Sequence, residues 1–313
     1  AQKAGLADLV TEHVGVPGSP GANADLKVAT LVAGMVAGAD SIEDMDLARH
    51  GGMAKLFAGC RAPTTLGTHL RGYQFGHVRQ LDAVASRLLV NLAEQAPLLV
   101  GGADQVAYLD IDDTVRATHG YAKQGVGYGY TGIKGLNVQV AALSTPTAAP
   151  VIAGTRLRKG NTSSGHGAPR MVADAVATSK KAGATGLVTV RADSAYYSHG
   201  VIAASTTAGA YYSVTAKMDA GVSAAITRIP QDAWTGIKYP EAIWEEAEQR
   251  WISEAEVAEV PYTAFTSRPK EQHVSARLIV RRVKRLNAKN IPAGQAQMFA
   301  THRHHAVFTN SPL

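Results

Sequence analysis

Between Val106 and Asp112 the chain reads Val-Ala-Tyr-Leu-Asp-Ile-Asp, an apolar run of strand length whose last residues are carboxylates. A second apolar run, Leu187–Ala192, is followed at once by Asp193. Leu136–Leu143, Val151–Leu157 and Ala210–Ala216 have the same strand character, and a Thr-Pro turn separates the first two. Elsewhere the period lengthens. Ala168–Lys181 reads as a helix with Pro169 early, lysines at its end and Gly183 behind it, and Val201–Ala208 as another. Three strands in hairpin order, then helix, strand, helix and strand, predict an α/β fold with a mixed sheet flanked by helices.

The N-terminal part is helical in pattern. Leu26–Gly38 predicts one helix. Ser41 is placed to cap a second, with Glu43 and Asp44 in its first turn, and Gly51-Gly52 ends it. A short helix around Met53–Phe57 comes next, then one over Leu66–Tyr73 opened by Ala62-Pro63-Thr64-Thr65 and carrying His69 and Arg71. Short helix, glycine turn and short helix with exposed basic residues is the outline of a helix-turn-helix, although an ordinary helical subdomain reads equally well. Val78–Gln95 is the strongest helix, with Leu81, Val84, Leu88, Leu89 and Leu92 on one face and Pro97 as its stop. Beyond residue 218 the pattern predicts a helix over Asp219–Thr227 and strands over Val257–Phe265, Ala276–Val283 and His304–Thr309. The expected division is therefore a helical region over 1–100, the first part of a core over 101–217 and a β-rich insertion with a returning strand over 218–313.

Composition narrows the partners. Of 313 residues 46% are hydrophobic, enough for a sizeable core and for two domains. The formal net charge of +6 suits a polyanion, and a plain basic enzyme would look the same. A single cysteine, Cys60, excludes an internal disulfide and fits a reducing, cytoplasmic setting. No apolar run reaches the roughly 18 residues of a membrane span.

The chemistry concentrates at the strand ends. Alternation puts Asp110 and Asp112 on one face, flanked by Tyr108, Leu109 and Ile111, where charge is costly without a partner. Asp113 points the other way and is placed, with Thr114, to cap the next segment. Asp193 reads either as a cap for the helix beginning near Tyr197 or as a second acid beside Asp112. Carboxylates held together repel, and a divalent cation relieves that repulsion. Arg156-Leu157-Arg158-Lys159-Gly160-Asn161 ends a strand in a basic turn whose Arg156, Arg158, Lys159 and Asn161 suit phosphate contacts, as do Lys123 and Lys134 in the glycine-rich stretch 119–135. The tract from Arg277 to Lys289 reads as a solvated face or as a strand along a DNA groove. An acidic run with Trp234, Trp244 and Trp251 precedes it. His302, His304 and His305 have no nearby cysteine and the wrong spacing for a helical zinc pair.

At Leu109-Asp110-Ile111-Asp112-Asp113-Thr114, Leu157-Arg158-Lys159-Gly160-Asn161-Thr162 and Val190-Arg191-Ala192-Asp193-Ser194 the chain resembles a DDE transposase of bacterial insertion sequences, more narrowly the subgroup numbered thirteen-eighty. The resemblance implies an RNase H-like catalytic core, a helical DNA-binding N-terminal region and a β-rich insertion. It implies cutting of transposon ends and strand transfer into target DNA with two Mg²⁺ ions, Mn²⁺ substituting. Asp112 would be the first acid, Asp193 the second and Asp110 an auxiliary ligand. The partners would be double-stranded DNA, as transposon end and as target, and a second copy of the chain in a homodimer on DNA; no membrane is implied, and the location would be the cytoplasm at the nucleoid. The family's third acid, a Glu on a helix after the insertion, has no counterpart before Leu313, so the expectation is a truncated copy with weak or absent cleavage. Two rivals stand beside it. A haloacid-dehalogenase-like phosphatase would use Asp110 as nucleophile and Asp112 as acid/base. A catalytically dead remnant would bind DNA without cutting it.

Overall fold

The computed structural model describes residues 1–119, 123–237, 239–247, 250–251, 255–284 and 302–313. Of the stretches singled out above, residues 120–122 of the glycine-rich stretch, 248–249 and 252–254 of the acidic run and 285–289 of the basic tract lie outside the described residues. The chain forms two compact units, one of Ala1–Ser163 with Met171–Val188 and one of Ser164–Arg170 with Thr189–Leu313.

The first unit opens with helices α1 (Leu6–His13), α2 (Gly18–Gly21) and α3 (Ala24–Val36). Then come α4 (Pro63–Arg71) and the long α5 (Phe75–Gln95). The expected stripe of α5 is real: Val84, with Leu81 and Leu88, packs against Leu6 and Val10 of α1 and Val28 of α3. Two expected short helices are instead 3₁₀ segments, Glu43–Arg49 and Gly51–Lys55. Ser41 and Asp44 do bond reciprocally, side chain to backbone N–H in both directions. The stretch between, with Gly51 at φ +60°, is too short and too glycine-rich to sustain an α-helical ladder.

Strands come next: β1 (Val106–Ala117), β2 (Gly127–Tyr128), β3 (Lys134–Ser144) and β4 (Val151–Lys159). They make an antiparallel meander in which β3 lies between β1 and β4 and carries β2 at its start. β1 runs five residues beyond the expected end at Asp112, because its partner β3 continues alongside to pair Ala117 with Gly135. Helix α6 (Ala168–Lys181) begins in the second unit and crosses into the first. The two faces of β4 meet different helices. Gly154 lies where a Cβ would stand 3.1 Å from Met171 and 3.6 Å from Ala175 of α6, while Thr155 donates to Asp82 of α5. The first residues of β5 (Leu187–Ala192) run beside the approach to β1, Leu187 N donating to Gln105 O.

The second unit takes up β5 from Thr189. α7 (His199–Thr207) returns the chain to β6 (Tyr211–Thr215), which is parallel to β5, a βαβ step. After α8 (Ala220–Thr227) come β7 (Thr235–Ile237), the small pair β8 (Trp244–Glu245) and β9 (Arg250–Trp251), then β10 (Ala255–Ala264), β11 (Val274–Lys284) and β12 (His302–Thr309). The order β5-β6-β12-β11-β10-β7 is antiparallel after β6, so this α/β protein has the mixed strand pairing expected of it. Tyr212, Val214, Leu278, Val280 and Phe308 form the core, with Val222 and Ile226 of α8 against it. The acidic and basic tracts of this region answer each other: Glu256 accepts from Arg282 at 2.6 Å and Glu259 from Arg277 at 3.0 Å. Arg282 also stacks 4.1 Å over Trp234. No helix among the described residues is long and apolar enough to cross a membrane.

Candidate functional site

Strand register decides where each acid of β1 points. Asp112 pairs with Val140, which pairs with Thr155; Asp113 pairs with Gln139, which pairs with Arg156. Cross-strand partners share a face. Asp110 and Asp112 therefore lie on the α5 face of the meander, and Asp113 lies on the α6 face with Leu109 and Ile111.

Asp112 is exposed, and its Oδ1 accepts from the N–H of Asp113 at 2.8 Å. Its Oδ2 takes no bond among the described residues. Asp110 is half-buried and accepts from Ser144 Oγ at 3.3 Å. Asp193 stands directly after β5 and is exposed. It caps the 3₁₀ turn Ser194–Tyr196, Oδ1 accepting from Ala195 N at 2.9 Å, and its Oδ2 is likewise uncommitted among the described residues. The helix expected to need it, α7, is capped by Ser198 instead. So Asp112 and Asp193 each have one oxygen fixed by backbone and one available. Hard oxygen donors of that kind suit Mg²⁺ or Mn²⁺. Among the described residues no three His, Cys, Asp or Glu side chains form a ready-made metal cluster.

Asp113 does not cap anything, since β1 continues past it. Its side chain is 3% exposed and is held by Arg158, itself 6% exposed, at 3.1 Å. Asn137 lies between them. Its amide donates to Asp113, and its Oδ1 accepts from Arg158 Nη2 at 2.6 Å and Nε at 2.9 Å. Arg158 further donates to Ser163 O at 3.2 Å. Expected at DNA, Arg158 is instead bound inside the unit. Burial of Asp113 among Leu109 and Ile111 demands a cation, and alternation along β4 supplies Arg158. That demand is readable from β1, but its partner is not, because the pairing joins residues 45 apart in sequence.

Arg156 is also turned inward, to Asp174 of α6 at 3.0 Å. On the other face of β4, Asp82 of α5 takes Arg79 at 2.5 Å as well as Thr155. Burial pushes the Asp82 carboxyl above its ordinary range in spite of these partners. These groups join α5, β4 and α6, a link that no local sequence pattern signals.

The remaining basic residues of the turn stay outside. Lys123, Lys134, Lys159 and Asn161 are exposed. The glycines among them are required by close packing. A Cβ on Gly160 would lie 2.1 Å from Gly135 O and 2.4 Å from Gly127 O, and one on Gly135 would lie 2.1 Å from Arg116 O. Around Gly127, Gly129, Gly135 and Gly160 backbone thus packs on backbone, and β2 lies against the start of β3. His69, read as an exposed basic residue, is fully buried: Nδ1 donates to Pro20 O at 2.7 Å and Nε2 lies 3.2 Å from Tyr73 Oη.

The model of the family described as transposase DDE domain group 1 matches residues 28–291, and the chain belongs to that family. No curated protein matches. Among solved structures the chain is similar to a piggyBac transposase synaptic complex with hairpin DNA (10% identity, TM-score 0.40, covering 98% of this chain and 58% of that one). It is also similar to a Mos1 transposase paired-end complex with left transposon end (12%, 0.20, 60% and 57%). A third is a Mos1 strand transfer complex (12%, 0.21, 64% and 63%). The chain thus spans less than two thirds of each of these proteins. The phosphatase reading loses ground to the family match. It also needs a nucleophile at a strand end, whereas Asp110 sits mid-strand.

Proposed function

We propose that this chain carries the nucleic-acid-processing core of a DDE transposase acting on double-stranded DNA at transposon ends and at a target. The observation that supports it most is the family match over residues 28–291, which includes both Asp112 and Asp193. Asp112 and Asp193, aided by Asp110, would hold Mg²⁺ or Mn²⁺. The bound cations would polarise the phosphate and the attacking oxygen for in-line displacement at phosphorus. The chain's own part is orientation. Backbone N–H groups of Asp113 and Ala195 fix one oxygen of each acid, so that the other oxygen is left for a ligand. Lys123, Lys134, Lys159 and Asn161 would grip the DNA backbone, while Arg156 and Arg158 keep the turn in shape.

Mn²⁺ binding followed by electron paramagnetic resonance tests the site. Asp112→Asn and Asp193→Asn are each expected to weaken Mn²⁺ binding by at least about tenfold, and to abolish any Mg²⁺-dependent nicking of supercoiled plasmid. Mn²⁺ affinity unchanged in both variants would defeat the assignment.

A further inference from the structure

The first unit contains a cavity of about 960 Å³ that none of these acids lines. Its walls come from two places far apart in the sequence. One is the junction of α4 and α5, with Arg71 and Phe75. The other is the basic turn, with Lys123, Leu157 and Lys159. Leu136 and Leu157 share the sheet face of Asp110 and Asp112, because Leu157 pairs with Val138 and Val138 with Thr114. Leu136 pairs with Arg116, four residues beyond Asp112. At ~3.4 Å per residue the cavity therefore opens roughly 14 Å along the strand from the Asp112 carboxylate.

The lining is one-sided in charge. It contains Arg71, Lys123, Arg158 and Lys159 and no acid. Arg158 is consumed by Asp113, but no carboxylate among the described residues pairs with Arg71, Lys123 or Lys159. Beside these cations Phe75, the first residue of α5, is 63% exposed. An exposed aromatic ring beside three cations that have no carboxylate partner among the described residues suits a ligand that offers both a flat apolar surface and anionic groups. Unpaired nucleotides do so, the base stacking on the ring and the phosphates meeting the cations. A duplex alone would satisfy the cations and leave Phe75 exposed.

We propose that this cavity holds single-stranded nucleotides adjoining the duplex that the Asp112 face would engage, with Phe75 as the stacking platform and Arg71, Lys123 and Lys159 as phosphate contacts. The inference rests on the DNA-processing reading above and adds to it a strand-separated segment near the reacting phosphate.

Fluorescence anisotropy with a labelled duplex, either blunt or bearing a short oligothymidylate extension, tests it in the full chain. The extension is expected to tighten binding by about tenfold. Phe75→Leu should remove that gain without changing affinity for the blunt duplex, and Phe75→Trp should keep it. Because Phe75 is exposed, neither substitution threatens folding, which circular dichroism verifies. A 2-aminopurine placed in the extension should be quenched by the wild type and not by Phe75→Leu. Equal affinity for the two duplexes would overturn the cavity's assignment and leave the DNA reading standing. A gain that survives in Phe75→Leu would also overturn it. Failure to bind either duplex would sink both readings. Displacement of the extended duplex by polyglutamate, with tighter binding of the latter, would reassign the cavity to an acidic protein segment.

Discussion

Asp113 shows how two adjacent carboxylates acquire different fates from strand alternation alone. Asp112 is exposed, whereas Asp113 lies on the α6 face and survives as a charge by pairing with Arg158 and Asn137. Removing one member of a buried pair leaves the other uncompensated. Asp113→Ala is expected to cost about 3–5 kcal/mol, measured by urea unfolding. The double variant Asp113→Leu with Arg158→Met should recover much of that loss, because an apolar pair needs no desolvation of charge. If Asp113→Ala unfolds at the same urea concentration as the wild type, the pair is not structural. The nearby glycines belong to the same local problem, since the basic turn can close over β2 only where no Cβ intervenes.

At the level of elements, α4 is tied to the α2 segment through His69. Its Nδ1–H donates to Pro20 O, so Nε2 is left to accept from the Tyr73 hydroxyl, and the ring packs edge-on to Tyr73 at 5.0 Å. Burial, the largest influence, holds the imidazole below its ordinary pKa. On acidification the unfolded chain takes up the proton near pH ~6.5, before folded His69 does. The contribution of this contact is therefore complete above about pH 6.5 and is lost as pH falls below it, with a slope of at most ~1.4 kcal/mol per pH unit. His69→Gln should flatten the stability profile below about pH 6.5, as read by thermal melts across pH. An unchanged profile would place the titration elsewhere. Tyr73, which burial raises to about 12, stays neutral throughout this range.

For the molecule as a whole, the formal net charge of +6 is a weak statement until the cations are sorted. Arg156, Arg158, Arg277 and Arg282 are paired with Asp174, Asp113, Glu259 and Glu256 inside their own units. Within the basic tract on β11, Arg277 and Arg282 are thus cross-strand partners for acids of β10. Lys123 and Lys159 remain for a polyanion. Each substitution Lys123→Ala and Lys159→Ala should reduce the slope of log affinity against log salt for duplex DNA by about 0.9. Arg277→Ala is expected to leave that slope unchanged and to reduce stability modestly. The reverse pattern would move the DNA surface to the second unit.

The chain by itself determined the alternation that makes β1 and β5, the apolar stripe of α5 and the βαβ step through α7. These are local periodicities and end signals, encoded over a few residues. Tertiary structure alone decided which basic residues are spent internally, that β1 outlasts its acids, that His69 is buried, and that Phe75 and Arg71 share a cavity with Lys123 and Lys159. The reason is physical: a carboxylate's or a guanidinium's environment depends on which strand register and which helix bring its neighbour from dozens of residues away, and no local pattern carries that choice.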